Sequence, residues 1–269
     1  MHPIERLRHV ARVEGADPAM LAREVASSLA EVADAGLAGL VPACRRLVEH
    51  HPANGPLWWL SARMLASAEP YQEAREAAAA LANDPTARRL ADLLPEEATV
   101  LVVGWAGTAA DALRRRGDLE VLVADSGGDG AALVRRLAGD GDATLVADRG
   151  LGAAAALSSL VLVEALVAGP SGVLAAPGSH AAAAVAARSA IPVWGVLPVG
   201  RVLPEALWQA ALARFDGGGL EPWDRDAELV PADLLCTAVG PGGAAEPAEA
   251  LAAPTCPVAP ELLRAAGPG

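Results

Sequence analysis

The stretch "TVLVVGWAGTAADALRRRGDLEVLVADSGGDGAALVRRLAGDGDATLVAD" (99–148) decides the fold. Three short apolar runs, TVLVVG, LEVLVAD and ATLVAD, alternate with two helix-type segments, TAADALRRR and DGAALVRRLAG. A run without polar alternation is a strand covered on both faces. Such strands alternating with helices imply a parallel sheet with right-handed crossovers. The rhythm continues through GLGAAAALS, LVLV, SHAAAAVAARSA and IPVWGVL. Ligands bind such sheets beyond the carboxyl ends of the strands. Here those ends are GWAGT (104–108), DSGGDG (125–130), DRG (148–150), EALVAGPSG (164–172) and PVGR (198–201).

Upstream of this region the pattern is helical. ADPAMLAREVASSLAEVADAG starts with Asp17 as N-cap and Pro18 at the first helical position, and stops near Gly36. LAGLVPACRRLVEHH predicts a second helix entered through Pro42, GPLWWLSARMLAS a third and PYQEAREAAAALAND a fourth. Downstream, ELVPADLLCTAVGPGG predicts a last short helix from Pro231. From Gly242 the Ala/Pro/Gly-rich sequence predicts a loosely ordered end in which Leu262 and Leu263 could dock. The expected organisation is a helical domain over 1–95, a Rossmann-like α/β domain over 96–245 and a tail over 246–269.

Composition narrows the function. The net charge of −12 argues against nucleic-acid or anionic-membrane surfaces, which need a basic stripe. All 21 basic residues are Arg, so a Walker-type phosphate loop, a Schiff base and a lysine base are excluded. Cys44, Cys236 and Cys256 lack metal-ligand spacing, and no metal or cofactor is expected. No stretch reads as a membrane span, and MHPIERLRHVARVEG lacks the apolar core of a signal peptide, so the expected location is cytoplasmic.

The candidate site residues lie at the strand ends. Gly104 and Gly107 permit close backbone approach and Thr108 can cap the helix, which makes either an anion-binding turn or a plain strand–helix turn. An acid in DSGGDG could accept ribose hydroxyls, or the segment is a solvated turn. Asp148 and Arg149 end the third strand, where Arg149 could pair with phosphate. His180 follows Gly178 and Ser179 at a helix start, without an acid nearby in sequence to orient it. Trp58 and Trp59 read as core or interface, and Arg63, one turn later, could reach the sheet.

The order of these motifs over 99–240 resembles the family of translation initiation factor 2B alpha, beta and delta subunits. That family also holds methylthioribose-1-phosphate and ribose-1,5-bisphosphate isomerases. VLVVGWAGTAADALRRR resembles its strand–turn–helix, LEVLVADSGGDGAALVRRL its strand with an acidic end, and ATLVAD its strand ending in Asp. LVLVEALVAGPSGVLAAPGSHAAAAVAARSAIPVWGV resembles its Gly-Ala-Asp turn, Asn-Lys-x-Gly-Thr loop and following helix. ELVPADLLCTAVGPGG resembles its closing segment. The resemblance implies a helical N-terminal domain joined to a Rossmann-like parallel-sheet domain of the NagB/RpiA/CoA-transferase kind, and a homodimer. The departures are chemical. The catalytic Cys position of the isomerases holds Gly104, and the acid/base Asp falls on Ala165 beside Glu164. The Asn-Lys pair falls on Ala175 and Ala176, and the Arg after the second strand becomes Gly127, while Asp148 is retained.

The expectation is therefore a divergent, non-catalytic relative that binds a small phosphorylated metabolite or nucleotide in a regulatory role. Its ligand residues would be Arg63, Gly104, Gly107, Thr108, Asp148, Arg149, Gly178 and Ser179. The alternatives are an aldose–ketose isomerase of a phosphorylated pentose, using Asp148, Glu164 or His180, and a structural assembly subunit.

Overall fold

The computed structural model describes residues 17–34, 37–139 and 142–264. The charged N-terminal segment and the helix stop at Gly36 lie outside them. Five helices come first: α1 (Pro18–Asp34), α2 (Leu37–His50), α3 (Gly55–Ala66), α4 (Pro70–Ala82) and α5 (Thr86–Leu93). Asp17 caps α1, accepting from the backbone N–H groups of Ala19 and Met20 at 3.0 Å each. Helix α2 does not begin at Pro42. It starts at Leu37 and carries Pro42 in its interior, so the helix forms without one of its backbone hydrogen bonds.

The α/β part is β1 (Thr99–Val103), α6 (Gly107–Leu113), β2 (Glu120–Ala124), α7 (Asp129–Leu137), β3 (Asp142–Val146), α8 (Leu151–Leu157) and β4 (Leu160–Glu164). It continues with the hairpin β5 (Val167–Gly169) and β6 (Gly172–Ala175), then α9 (Ser179–Arg188) and β7 (Val193–Val196). After these come α10 (Glu205–Asp216), β8 (Glu228–Pro231), β9 (Thr237–Gly240), β10 (Gly243–Ala245) and α11 (Pro247–Ala252). The main sheet has the order β10-β9-β7-β4-β1-β2-β3 and is parallel except for β10. A small antiparallel sheet, β5-β6-β8, accompanies it. Two expectations are corrected here. The Gly/Pro loop after β4 contains a hairpin, and the segment from Pro231 is a single 3-10 turn between β8 and β9.

Strand alternation divides the core. Val100 and Val102 of β1 face α5, α6 and α7, packing with Leu90, Ala109, Leu113 and Leu133. Leu101 and Val103 face α8 and α9, packing with Ala155, Ala182 and Ala186. The chain fills β1, β2 and β3 over the first face, then returns over the other to place β4 beside β1. The order of strands thus reverses between β1 and β4, and their carboxyl ends mark the crevice position of sheets of this kind.

The helical layer is not closed on itself. Its core of Leu29, Leu57, Trp58 and Leu60 includes Val167, Leu174, Leu203 and Trp208 from beyond β4, and Cys256, Ala259 and Leu262 from the chain end. As far as Arg264, the C-terminal segment is therefore packed rather than loose. Leu262 is buried, and the carbonyls of Glu261 and Leu262 accept from Arg45 at 2.7 Å and Arg214 at 2.8 Å. Leu263 stays exposed.

Candidate functional site

The crevice is built from the loop after β1, the end of β4 and the start of the helical layer. Gly104 leaves β1 with a φ of 62°. A Cβ there would lie 3.0 Å from the Ser126 Cβ and 3.1 Å from the Ala176 Cβ. The loop is therefore closed against its neighbours, and its N–H is spent on the Ala124 carbonyl at 3.0 Å. Gly107 faces Asp17, whose Oδ2 lies 2.7 Å from where a Cβ would stand.

Thr108 does not cap α6. Glu164 does, from the end of β4. Its Oε1 accepts from the Thr108 N–H at 3.2 Å and its Oε2 from the Ala109 N–H at 2.9 Å. A carboxylate here satisfies two orphan donors and sits in the positive end of the helix dipole. Burial pushes the Glu164 carboxyl above the ordinary glutamate range, against the opposing pull of Arg201 and the two N–H groups. Arg201 is 1% exposed, and its Nη1 donates to the Leu166 carbonyl at 3.2 Å. Its burial pushes the guanidinium down, while Glu164, Asp17 and Asp84 hold it up. Asp84 also ties the layers together, accepting from the Val199 N–H at 2.7 Å and from the Thr86 N–H at 2.8 Å.

Two further helices at this end of the sheet, α7 and α9, have donors of their first turns taken in the same way. The N–H of Gly130 in the first turn of α7 donates to Asp125 at 3.2 Å. At α9, Gly178 takes the left-handed conformation with a φ of 93°. The Ser179 N–H donates to the Ala176 carbonyl at 3.1 Å, and the His180 N–H to Glu228 at 2.7 Å. Each carboxylate occupies donors that an anionic ligand would use.

The remaining expected site residues are dispersed. Asp148 and Arg149 lie exposed in a 3-10 turn beyond β3, an edge strand separated from β1 by β2. The His180 side chain is exposed. Arg63 does not reach for the sheet; it pairs with Glu73 and stacks over Trp59, 4.7 Å from the ring centre. Ala165, at the position of the isomerases' acid/base Asp, is fully buried. Among the described residues no cluster of His, Cys, Asp or Glu could hold a metal ion, and no helix is long and apolar enough to cross a membrane. Sequence reading missed Arg201, Glu228, Asp84 and the inward role of Asp17. Only the strand-end segment PVGR pointed toward the first. The others act across 48 to 115 residues of chain, for which a single sequence offers no signal.

No protein-family model and no curated protein sequence matches the chain. Solved structures do. Translation initiation factor eIF-2B from Pyrococcus horikoshii OT3 superimposes with a TM-score of 0.76 at 16% identity, over 93% of this chain and 98% of that one. The beta subunit of eIF2B from Chaetomium thermophilum gives a TM-score of 0.67 at 18% identity, over 91% and 86%. A chain of the tetrameric eIF2B-beta2-delta2 complex from C. thermophilum gives 0.73 at 17%, over 93% and 92%. The chain thus has the fold of the initiation factor 2B subunits along nearly its whole described length.

Proposed function

We propose that this chain is a non-catalytic protein of the initiation factor 2B fold that works as a subunit of an assembly, its crevice neutralised from within. The observation that carries this reading is Glu164. Both of its oxygens are committed to α6, and its neighbour Ala165 has no group to move a proton. Aldose–ketose isomerisation needs a positioned acid and base. Asp148 and His180, the other expected candidates, are exposed, and Asp148 lies beyond an edge strand.

A phosphorylated metabolite or nucleotide, the regulatory ligand suggested by the sequence, would have to displace Glu164 or Glu228 from the helix ends. That is a like-charge competition against groups already in place. The assembly role rests on the shared fold and on the exposed small and apolar residues of α8 and α9, among them Ala153, Leu157, Ala181 and Ala184. The test is a thermal-shift series with inorganic phosphate, AMP and ribose 1,5-bisphosphate on the whole protein. The expected result is no ligand-dependent rise in Tm for the wild type at millimolar concentration. A concentration-dependent rise in the wild type would contradict the self-neutralised crevice.

A further inference from the structure

The segment between α10 and β8 reads DGGGLEPWDRDA (216–227) and ends just before Glu228, the residue that closes α9. Trp223 on its 3-10 turn is 79% exposed and Leu220 is 58% exposed. The two lie three residues apart on one loop, and exposed apolar side chains of this size, where they gather, mark interaction surfaces. Trp is the residue type most enriched among binding hot spots.

This loop is braced, so the exposure is a held conformation. Arg225 donates to Asp216 at 2.7 Å, reaches the Leu220 carbonyl at 3.4 Å and stacks over Phe215, 5.1 Å from the ring centre. A loop already ordered loses little conformational freedom when a partner arrives. The charge around the apolar pair has one sign. Glu221, Asp224 and Asp226 are all exposed, and the single cation of the segment, Arg225, is engaged by Asp216.

We propose that the braced loop 216–227 is a docking surface for a protein segment that sets Arg or Lys beside apolar side chains, Trp223 and Leu220 taking the apolar groups and Glu221, Asp224 and Asp226 the cations. Charge complementarity selects this occupant. Nucleic acids and anionic membranes would meet three unpaired carboxylates. A second copy of the chain brings a net charge of −12 to the same acidic loop.

The test uses a labelled synthetic peptide of alternating Arg and Leu, its Glu/Leu counterpart, and the full chain, read by fluorescence anisotropy. Trp223→Ala and the double variant Asp224→Asn/Asp226→Asn sit on the exposed loop, and unchanged Tm values establish that both fold. The expected result is binding of the Arg/Leu peptide only. Trp223→Ala should weaken it about tenfold or more, and the Asn variant should flatten its salt dependence. Absence of binding, or binding indifferent to Trp223→Ala, would overturn the proposal. So would a fall in the oligomeric mass of Trp223→Ala by light scattering, because a second copy would then be the occupant.

Discussion

Glu164 and Ala165 are neighbours in sequence with opposite fates, one caught in an electrostatic network and the other in the apolar core. The raised carboxyl of Glu164 means that the folded chain binds its proton more tightly than the unfolded chain does. The stabilising contribution of that proton is complete below the ordinary glutamate range and is lost as pH rises through the folded value. Glu164→Gln, which resembles the protonated form, should therefore gain on the wild type in Tm as pH is raised from about 4 to about 8. Parallel curves of Tm against pH would show that the carboxyl titrates like an ordinary one. The thiols give a second expectation. Burial pushes Cys44 and Cys256 up to about 12, whereas Cys236 is exposed. The thiolate is the reactive form, so a disulfide reagent should titrate one thiol in the native protein at neutral pH and three after unfolding. Rapid reaction of all three in the native protein would contradict the buried placement.

At the scale of elements, the hairpin β5–β6 is where packing is least forgiving. Gly169 lies under Trp208, and a Cβ there would stand 2.2 Å from the indole Cγ. The same indole donates its Nε1–H to Ser171 Oγ at 2.8 Å. Gly169→Ala should lower stability by roughly 1–3 kcal/mol or more, as overpacking does. Ser171→Ala should cost about 1 kcal/mol, the worth of one hydrogen bond. Urea unfolding midpoints at unchanged slope measure both, and a neutral Gly169→Ala would mean that Trp208 sits elsewhere. The hairpin also shows the reach of sequence reading. The strands β1, β2, β4 and β7 are legible because each is a short run of apolar residues that ends up mostly buried; β3 reads the same way, yet as the edge strand it leaves Thr144 and Leu145 exposed. The hairpin strands are only three and four residues long and punctuated by Gly and Pro, so they read as a loop. Helix starts marked by their own side chains, such as Asp17 at α1, are legible too. Glu164 and Glu228 cap helices from distant strands, and their role depends on tertiary packing alone.

For the whole molecule, the outer faces of α8 and α9 adjoin on one side of the sheet. Gly152, Ala153, Ala181, Ala184 and Ala187 are exposed there, and Leu157 is 81% exposed. This face is the proposed homodimer contact. Leu157→Asp should convert a dimer to a monomer in multi-angle light scattering, without lowering the Tm of the separated chain. A wild-type monomer at micromolar concentration would remove this contact from the account. One molecular property was readable from composition and pattern: the α/β class, with a helical layer ahead of a mostly parallel sheet. The closure of the crevice was not, because the strand ends look open in sequence and are filled only when the carboxylates of β4 and β8 fold onto the helix ends.

The most direct measurement is turnover of ribose 1,5-bisphosphate and methylthioribose 1-phosphate by the wild type, beside Glu164→Gln and His180→Ala. A positioned acid or base contributes roughly 100- to 10,000-fold to such a reaction. No aldose–ketose conversion above the uncatalysed background is expected in any of the three proteins. Conversion by the wild type that disappears in Glu164→Gln or His180→Ala would contradict that expectation, and would make the carboxylate at the end of β4 or the histidine at the start of α9 part of an active site.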